Sequence, residues 1–299
     1  MKRRVLVSGA SGLIGSALLP VLTSAGFEVV RLTRARTVGA GEVSWDPDQA
    51  LSPEPVSGFD AVVHLAGESI VGRWTAAKKK RILESRVGPT VRLSKALALA
   101  PQPPRVLVTA SAVGYYGNRG GEVLREESAP GSGFLADVCR QWEDAAEPAA
   151  QAGIRTVHVR FGLVLSSRGG ALAKMLLPFR LGLGGRVGDG RQWWSWIHID
   201  DVAGAILHTL KTELSGPVNV VGPNPATNAE FTKVLGSVLT RPTIFPMPAF
   251  AARLFFGEMG DELLLASQRV EPAKLAGSGY RFEFEDLKQS LTKLLAASY

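Results

Sequence analysis

The stretch Arg4-Val5-Leu6-Val7-Ser8-Gly9-Ala10-Ser11-Gly12-Leu13-Ile14-Gly15 decides the fold. A short apolar run of strand length meets three glycines spaced three apart, and a helical apolar pattern follows over residues 13–25 until Gly26 stops it. Strand, glycine turn and helix in that order separate a nucleotide-binding fingerprint from a chance cluster of glycines. Gly9 permits the tight turn, Gly12 lets backbone N–H groups at the helix N-terminus approach a pyrophosphate, and Gly15 is expected to let the helix pack closely on the sheet. Ser11, Leu13 and Ile14 complete the turn residues expected around the phosphates. No Gly-Lys-Ser/Thr follows, so the turn is not that of a phosphate-transferring P-loop.

Outward from this turn, β-branched runs alternate with helical patterns, the signature of βαβ units. Strands are predicted at 28–32, 60–65, 105–110, 155–160 and 216–221, with a short one at 43–45; helices are predicted at 76–99 and 135–152. Residues 168–190, which contain Leu181-Gly182-Leu183-Gly184-Gly185, read as a glycine-rich insertion extending a ligand cleft. The tail is helical in pattern at 230–239, 249–256 and 284–295. The expected fold is α/β, a doubly wound parallel sheet over residues 1–165, to which 197–222 return. A smaller, mainly helical substrate-side region, 166–299, would close the cleft.

The end of the second strand bears on which nucleotide is bound. An NAD-binding chain places Asp or Glu there for the ribose 2′-hydroxyl. Here the strand ends Val30-Arg31-Leu32-Thr33-Arg34, without an acid, and Arg34 stands where a guanidinium can grip a 2′-phosphate through paired hydrogen bonds. NADP(H) is therefore expected over NAD(H).

Composition narrows the remaining classes. The 299 residues are 45% hydrophobic and 20% charged, which suits a folded chain large enough to bury its own core. Lysine and arginine exceed acids by 34 to 27, yet the densest basic cluster, Lys78-Lys79-Lys80-Arg81, reads as a solvated helix face, so no nucleic-acid partner is expected. Phosphate contacts are a better use for the surplus. The lone Cys139 excludes an internal disulfide and a multi-cysteine metal site, and the four histidines show no ligand spacing, so no metal is expected. The apolar run after Lys2-Arg3-Arg4 is too short for a secretory signal, and no window approaches the roughly 18 apolar residues of a membrane span. A cytoplasmic protein without a membrane partner is expected.

The Gly-x-x-Gly-x-x-Gly spacing resembles the extended short-chain dehydrogenase/reductase superfamily. A narrower resemblance runs along nearly the whole chain, carried by His64-Leu65-Ala66-Gly67-Glu68-Ser69-Ile70, Arg73-Trp74, Glu84-Ser85-Arg86, Thr109-Ala110-Ser111-Ala112-Val113-Gly114-Tyr115-Tyr116-Gly117 and Trp196-Ile197-His198-Ile199-Asp200-Asp201. These segments are similar to the sugar-nucleotide epimerase-like family, also called cell-division inhibitor-like, whose small C-terminal module of unassigned role is matched by Arg269-Val270-Glu271-Pro272. The resemblance implies a Rossmann domain in which Thr33 and Arg34 contact the adenosine 2′-phosphate and Leu65, Ala66 and Gly67 line the adenine-ribose side.

Superfamily chemistry uses a Tyr, a Lys four residues on, a Ser or Thr that polarises the substrate oxygen, and an Asn. Alignment through Trp142-Glu143 puts Leu135 at the Tyr position and Cys139 at the Lys position, while Arg86 holds the Asn position. Only Ser111 remains of the four. Tyr115 and Tyr116 are the nearest substitute acids in sequence, against a packing role at a strand end. Arg86 suits a cofactor phosphate or a substrate anion but, always protonated, cannot act as a base. Cys139, with no base beside it, reads as a buried structural thiol. Trp194 and Trp196, in Gln192-Trp193-Trp194-Ser195-Trp196, could wall a cleft or fill a core, and His198 precedes Asp200-Asp201, a candidate helix N-cap.

These readings converge on an NADP(H)-binding reductase- or epimerase-like enzyme for a small carbonyl or hydroxyl substrate, with sugar nucleotide implied by the resemblance alone. The alternative is a non-catalytic NADP(H)-binding regulator that engages a protein partner. An epimerase proper, using Tyr115 or Tyr116, would exchange a C–H proton with solvent.

Overall fold

The computed structural model describes residues 2–35 and 37–296. Seven parallel strands form the central sheet: β1 (Arg4–Ser8), β2 (Glu28–Thr33), β3 (Glu42–Ser44), β4 (Ala61–His64), β5 (Val106–Ala112), β6 (Arg155–Phe161) and β7 (Gly216–Val220). Their spatial order is β7-β6-β5-β4-β1-β2-β3. The winding reverses between β1 and β4, so the crevice beyond the carboxyl ends of those strands is the ligand crevice of a doubly wound α/β sheet. Register places Ser8 beside His64, His64 beside Thr109, and Ser111 beside Arg160.

The central strands are unbroken apolar runs because both faces are covered. Successive side chains enter opposite cores: Val5, Val7, Val63 and Val108 face one way, Leu6, Val62 and Leu107 the other. The first core is closed by Leu18 and Leu22 of α1 (Leu13–Ser24) and by Val202 and Ile206 of the helix Ile199–Lys211. The second is closed by Leu93 and Leu97 of α2 (Ala76–Ala98) and by Ala149. A third core joins the helices Gly170–Arg180, Asn228–Leu239 and Leu287–Ala296 around Trp194, Trp196 and Phe231.

The sequence misplaces several local features. The helix expected over 135–152 is two, α3 (Phe134–Asp144) and Glu147–Gln151, because Pro148 lacks an N–H and its ring collides with a helical carbonyl four residues back. Within the glycine-rich stretch read as an insertion, Gly170–Arg180 form a helix that the sequence pattern did not single out. Three two-stranded pairings were not anticipated: Leu163–Leu165 with Trp196–His198, Trp193–Trp194 with Ala226–Thr227, and Val123–Leu124 with Arg269–Val270.

The C-terminal segment is fastened to the helix Ile199–Lys211 by a buried carboxylate. Asp201 accepts hydrogen bonds from the Tyr280 hydroxyl at 3.1 Å, from Glu283 N–H at 2.8 Å and from Phe284 N–H at 3.0 Å. Among the described residues no helix is long and apolar enough to cross a membrane.

Candidate functional site

The glycine turn lies at the crevice, and Gly9 and Gly15 are each required by a backbone contact. Gly9 has φ +69°, and a Cβ there would stand 2.7 Å from the Leu65 carbonyl carbon and 2.9 Å from Ala66 N. Gly12 donates its N–H to the Gly9 carbonyl at 3.0 Å and caps α1 with no side-chain acceptor, so the first N–H groups of the helix have no side-chain cap. No acidic residue lies in that first turn. Gly15 serves a different contact from the one expected: its Cβ would collide with the Gly9 carbonyl and with Ala10, so it lets the helix close on its own turn. Ser11 and Gly12 are exposed, and Leu13 and Ile14 pack partly against the third core.

Thr33 ends β2 and Arg34 follows it, at the carboxyl end of the strand beside β1. Thr33 Oγ1 accepts the Ala35 N–H at 3.3 Å, and Arg34 is exposed. Glu42, on the neighbouring β3, is engaged by Arg31 at 2.7 Å and by the Gly39 N–H at 3.2 Å. Leu65 and Ala66 abut Gly9, and exposed Gly67 lies against Arg86, whose guanidinium carbon would be 3.3 Å from a Cβ at that position.

Arg86 reaches this loop from α2. Its Nη2 donates to the Glu68 carbonyl at 2.9 Å and its Nη1 to the Ile82 carbonyl at 3.0 Å, while its guanidinium lies 5.0 Å from the Trp142 ring centroid. Burial works against its charge, and no carboxylate is in ion-pair contact with it among the described residues. Glu68, the nearest acid in the loop, is held by Lys78 at 2.7 Å, and that hydrogen bond lowers its pKa.

Ser111, near the carboxyl end of β5, donates its hydroxyl to Glu143 Oε1 at 2.6 Å. Both oxygens of Glu143 are gripped by Arg160 of β6, through Nε and Nη2, each at 2.8 Å. Burial opposes the Arg160 charge, but Glu143 more than offsets it and holds the guanidinium firmly protonated. Arg160 also donates from Nη1 to the Tyr116 oxygen at 2.9 Å, and its guanidinium carbon lies 3.5 Å from the Tyr115 ring centroid. The two tyrosines therefore differ in kind. Tyr116 is fully buried, donates to Asn219 Oδ1 at 2.7 Å, and has its pKa pushed up to about 12 by burial. Tyr115 is half-buried, and its hydroxyl makes no hydrogen bond among the described residues.

At the positions where the superfamily carries Tyr and Lys, Leu135 and Cys139 are both buried. Burial pushes the Cys139 thiol up to about 11, so it is protonated at neutral pH. His198 is itself the helix N-cap, in place of Asp200-Asp201: its Nδ1 accepts the Asp200 N–H at 3.1 Å, and its ring stacks 3.8 Å from Phe284. Burial lowers its pKa. Trp196 is fully buried and Trp194 nearly so, edge-on to Phe231, so neither offers a ring face to solvent. Trp193 is the partly exposed member of the trio and lies under Arg269, 4.5 Å from its guanidinium carbon. No cluster of three or more metal-ligating side chains occurs among the described residues.

Sequence reasoning missed Glu143 and Arg160 as site residues. A signal was present: Arg160 interrupts the apolar run Val157-His158-Val159-Arg160-Phe161, and a charge in a central strand requires a buried partner.

Comparison with known proteins places this geometry. Residues 5–223 match the model of the NAD dependent epimerase/dehydratase family, and residues 247–294 match a domain of unknown function, DUF1731. The chain is 43% identical over 290 residues to the epimerase family protein MT2273 of Mycobacterium tuberculosis, covering 96% of each. The crystal structure of human epimerase family protein SDR39U1 with NADPH superposes with a TM-score of 0.90 at 38% identity, covering 98% of this chain and 99% of that one. A nucleoside-diphosphate sugar epimerase from Corynebacterium glutamicum superposes with a TM-score of 0.84 at 37% identity, and there this chain spans 59% of the other. With its glycine turn, sheet order and C-terminal region all matched, the chain belongs to the NAD dependent epimerase/dehydratase family.

Proposed function

We propose that the chain is an NADP(H)-dependent oxidoreductase or epimerase-type enzyme for a small carbonyl or hydroxyl substrate, with sugar nucleotides as the candidate class. The human relative's complex with NADPH and the name of the Corynebacterium relative support cofactor and substrate class respectively. The residues present fit the cofactor: a turn that no side chain at Gly9 or Gly15 could enter, helix N–H groups without a side-chain cap, and an exposed Arg34 with no acid at the end of β2. NADP(H), when bound, supplies hydride exchange. Gly9, Ser11, Gly12, Leu13, Ile14 and Gly15 would hold the pyrophosphate, Thr33 and Arg34 the 2′-phosphate, and Leu65, Ala66 and Gly67 the adenine-ribose side. Arg86 adds positive charge behind Gly67.

The observation that carries the reading is the chain of contacts from Ser111 to Glu143 to Arg160 at the carboxyl end of β5. A substrate hydroxyl gives its proton to Ser111 Oγ as the serine proton passes to Glu143 Oε1; the pair of Glu143 and Arg160 goes from neutral to a single positive charge on the guanidinium, which favours return of the proton in the opposite direction. In the opposite direction Ser111 donates to the carbonyl oxygen. Tyr115 supplies a second polar contact with its uncommitted hydroxyl, whereas Tyr116 acts as a structural tie. The test is NADPH oxidation against a panel of carbonyl compounds and sugar nucleotides. Ser111→Ala should reduce turnover by about 100-fold or more while the thermal shift produced by NADPH stays intact. A panel that consumes no NADPH, or a Ser111→Ala enzyme at full rate, overturns the assignment.

A second reading, an NADP(H)-binding regulator that engages a protein partner, is favoured by one observation: the Leu135 and Cys139 side chains are sealed in the core. It requires partner capture to differ between apo and NADPH-loaded protein. Identical profiles remove it.

A further inference from the structure

Eight of the twelve large apolar side chains exposed among the described residues lie on two segments, 166–188 and 231–257. The segments adjoin. Arg241 Nε donates to the Arg180 carbonyl at 2.9 Å, Met247 N–H to the Arg186 carbonyl at 2.8 Å, and Gly188 N–H to the Met247 carbonyl at 2.9 Å. On the face they build, Leu177, Leu181, Ile244, Phe250, Leu254 and Phe255 are each 65% to 71% exposed. The helix Ala249–Phe256 buries only Ala252 fully and leaves two phenylalanines and a leucine exposed, a concentration that scattered surface hydrophobics do not produce.

Charge selects what covers this face. The two segments contain seven basic residues, Arg168, Lys174, Arg180, Arg186, Lys233, Arg241 and Arg253, and no Asp or Glu. Of the carboxylates at the border, Asp261 pairs with Arg253 at 2.8 Å, Glu258 with Lys79 at 2.8 Å, and Glu230 sits in the capping box of Thr227; Asp189, exposed, accepts the Arg191 N–H at 2.9 Å and is outnumbered by the seven cations. Arg186 and Lys233 make no ion pair among the described residues, and with Thr232 and Thr243 they line a cavity of about 250 Å³ beside Ile244. A second copy docked through the same face about a twofold axis would set cations against cations. An anionic lipid surface satisfies both components, since apolar side chains enter the acyl boundary while the basic rim meets the headgroups.

We propose that this face docks peripherally on an anionic phospholipid surface, with a headgroup phosphate entering the Arg186–Lys233 cavity. Such docking needs no membrane-spanning helix. It revises the expectation of no membrane partner, which rested on the absence of a span.

The test is flotation of the full-length protein with vesicles of phosphatidylcholine alone or phosphatidylcholine mixed with phosphatidylglycerol. Binding to the mixed vesicles should exceed binding to phosphatidylcholine by about tenfold and should collapse in high salt. Phe250→Ser with Leu254→Ser, and separately Arg186→Glu with Lys233→Glu, should each reduce the bound fraction about tenfold while the NADPH thermal shift is preserved. Equal binding to both vesicle types, unchanged binding by either double variant, or a solution dimer that Phe250→Ser with Leu254→Ser dissociates would each overturn the proposal. The last result would assign the face to a second copy.

Discussion

Acidification should weaken this fold through its histidines, and the share of His64 follows from its surroundings. His64 ends β4 fully buried, with Nδ1 2.6 Å from Ser8 Oγ and with Nε2 lacking a hydrogen-bond partner among the described residues. Burial pulls its pKa from 6.5 to about 4. The unfolded chain therefore takes up a proton near pH 6.5 that the folded chain refuses until about pH 4, so stability falls as pH drops through that window. Integrated from pH 7 to pH 5 the loss is about 2 kcal/mol, and over the whole window about 3 kcal/mol. The assay is urea unfolding followed by far-ultraviolet circular dichroism at several pH values, for the parent chain and His64→Asn. Asparagine keeps a polar partner for Ser8 but does not titrate. The variant will be less stable at pH 7, yet its stability should depend on pH less steeply, by about 2 kcal/mol between pH 7 and pH 5. His158, His198 and His208, whose pKa values burial also lowers, titrate in both chains and cancel in the difference. Parallel pH profiles for the two chains, within about 0.5 kcal/mol, would falsify the reasoning.

Three further outcomes follow from the site. Glu143→Ala strands the Arg160 guanidinium without its carboxylate and should cost about 3 kcal/mol or more in denaturant unfolding, with Glu143→Gln losing less. Arg34→Ala should weaken NADPH binding about tenfold or more and leave NADH affinity unchanged, measured by calorimetric titration of both cofactors; equal losses for the two would remove Arg34 from the 2′-phosphate. Cys139, protonated and enclosed, should react with a thiol reagent at neutral pH only as fast as the chain opens, and prompt labelling of the native protein would contradict its burial.

The sheet was legible because its signals are local. An apolar run, a glycine at a fixed spacing and a helical period each lie within a dozen residues, and together they place all seven strands of the central sheet within a residue or two. The same reasoning misjudged what depends on contacts between distant segments. Gly15 was assigned to the sheet, whereas its neighbour is the Gly9 carbonyl. Trp194 and Trp196 sit among glycines in the sequence, but the helices that bury them arrive from residues 228–239 and 287–296. Ser111 was visible as a candidate, but its partners were not: Glu143 reaches it across 32 positions and Arg160 sits on the adjacent strand. Residue type can say that a buried arginine needs an acid. Only the packing of α3 against β5 and β6 says which one.

The three hydrogen bonds accepted by Asp201 have a consequence for how the molecule comes apart. Two family matches, 5–223 and 247–294, divide the chain as text, but this carboxylate joins them as one cooperative unit. Cutting off the second would remove all three donors and also uncover the apolar surface on which Tyr280 and Phe282 pack, so the truncated piece inherits an exposed core face rather than independence. A nucleotide bound at the glycine turn should then slow amide exchange at Glu283 and Phe284 as well, measurable by hydrogen exchange with and without NADPH. Loosening those two amides strips a helix that packs directly on α1, the helix whose N-terminus forms the turn.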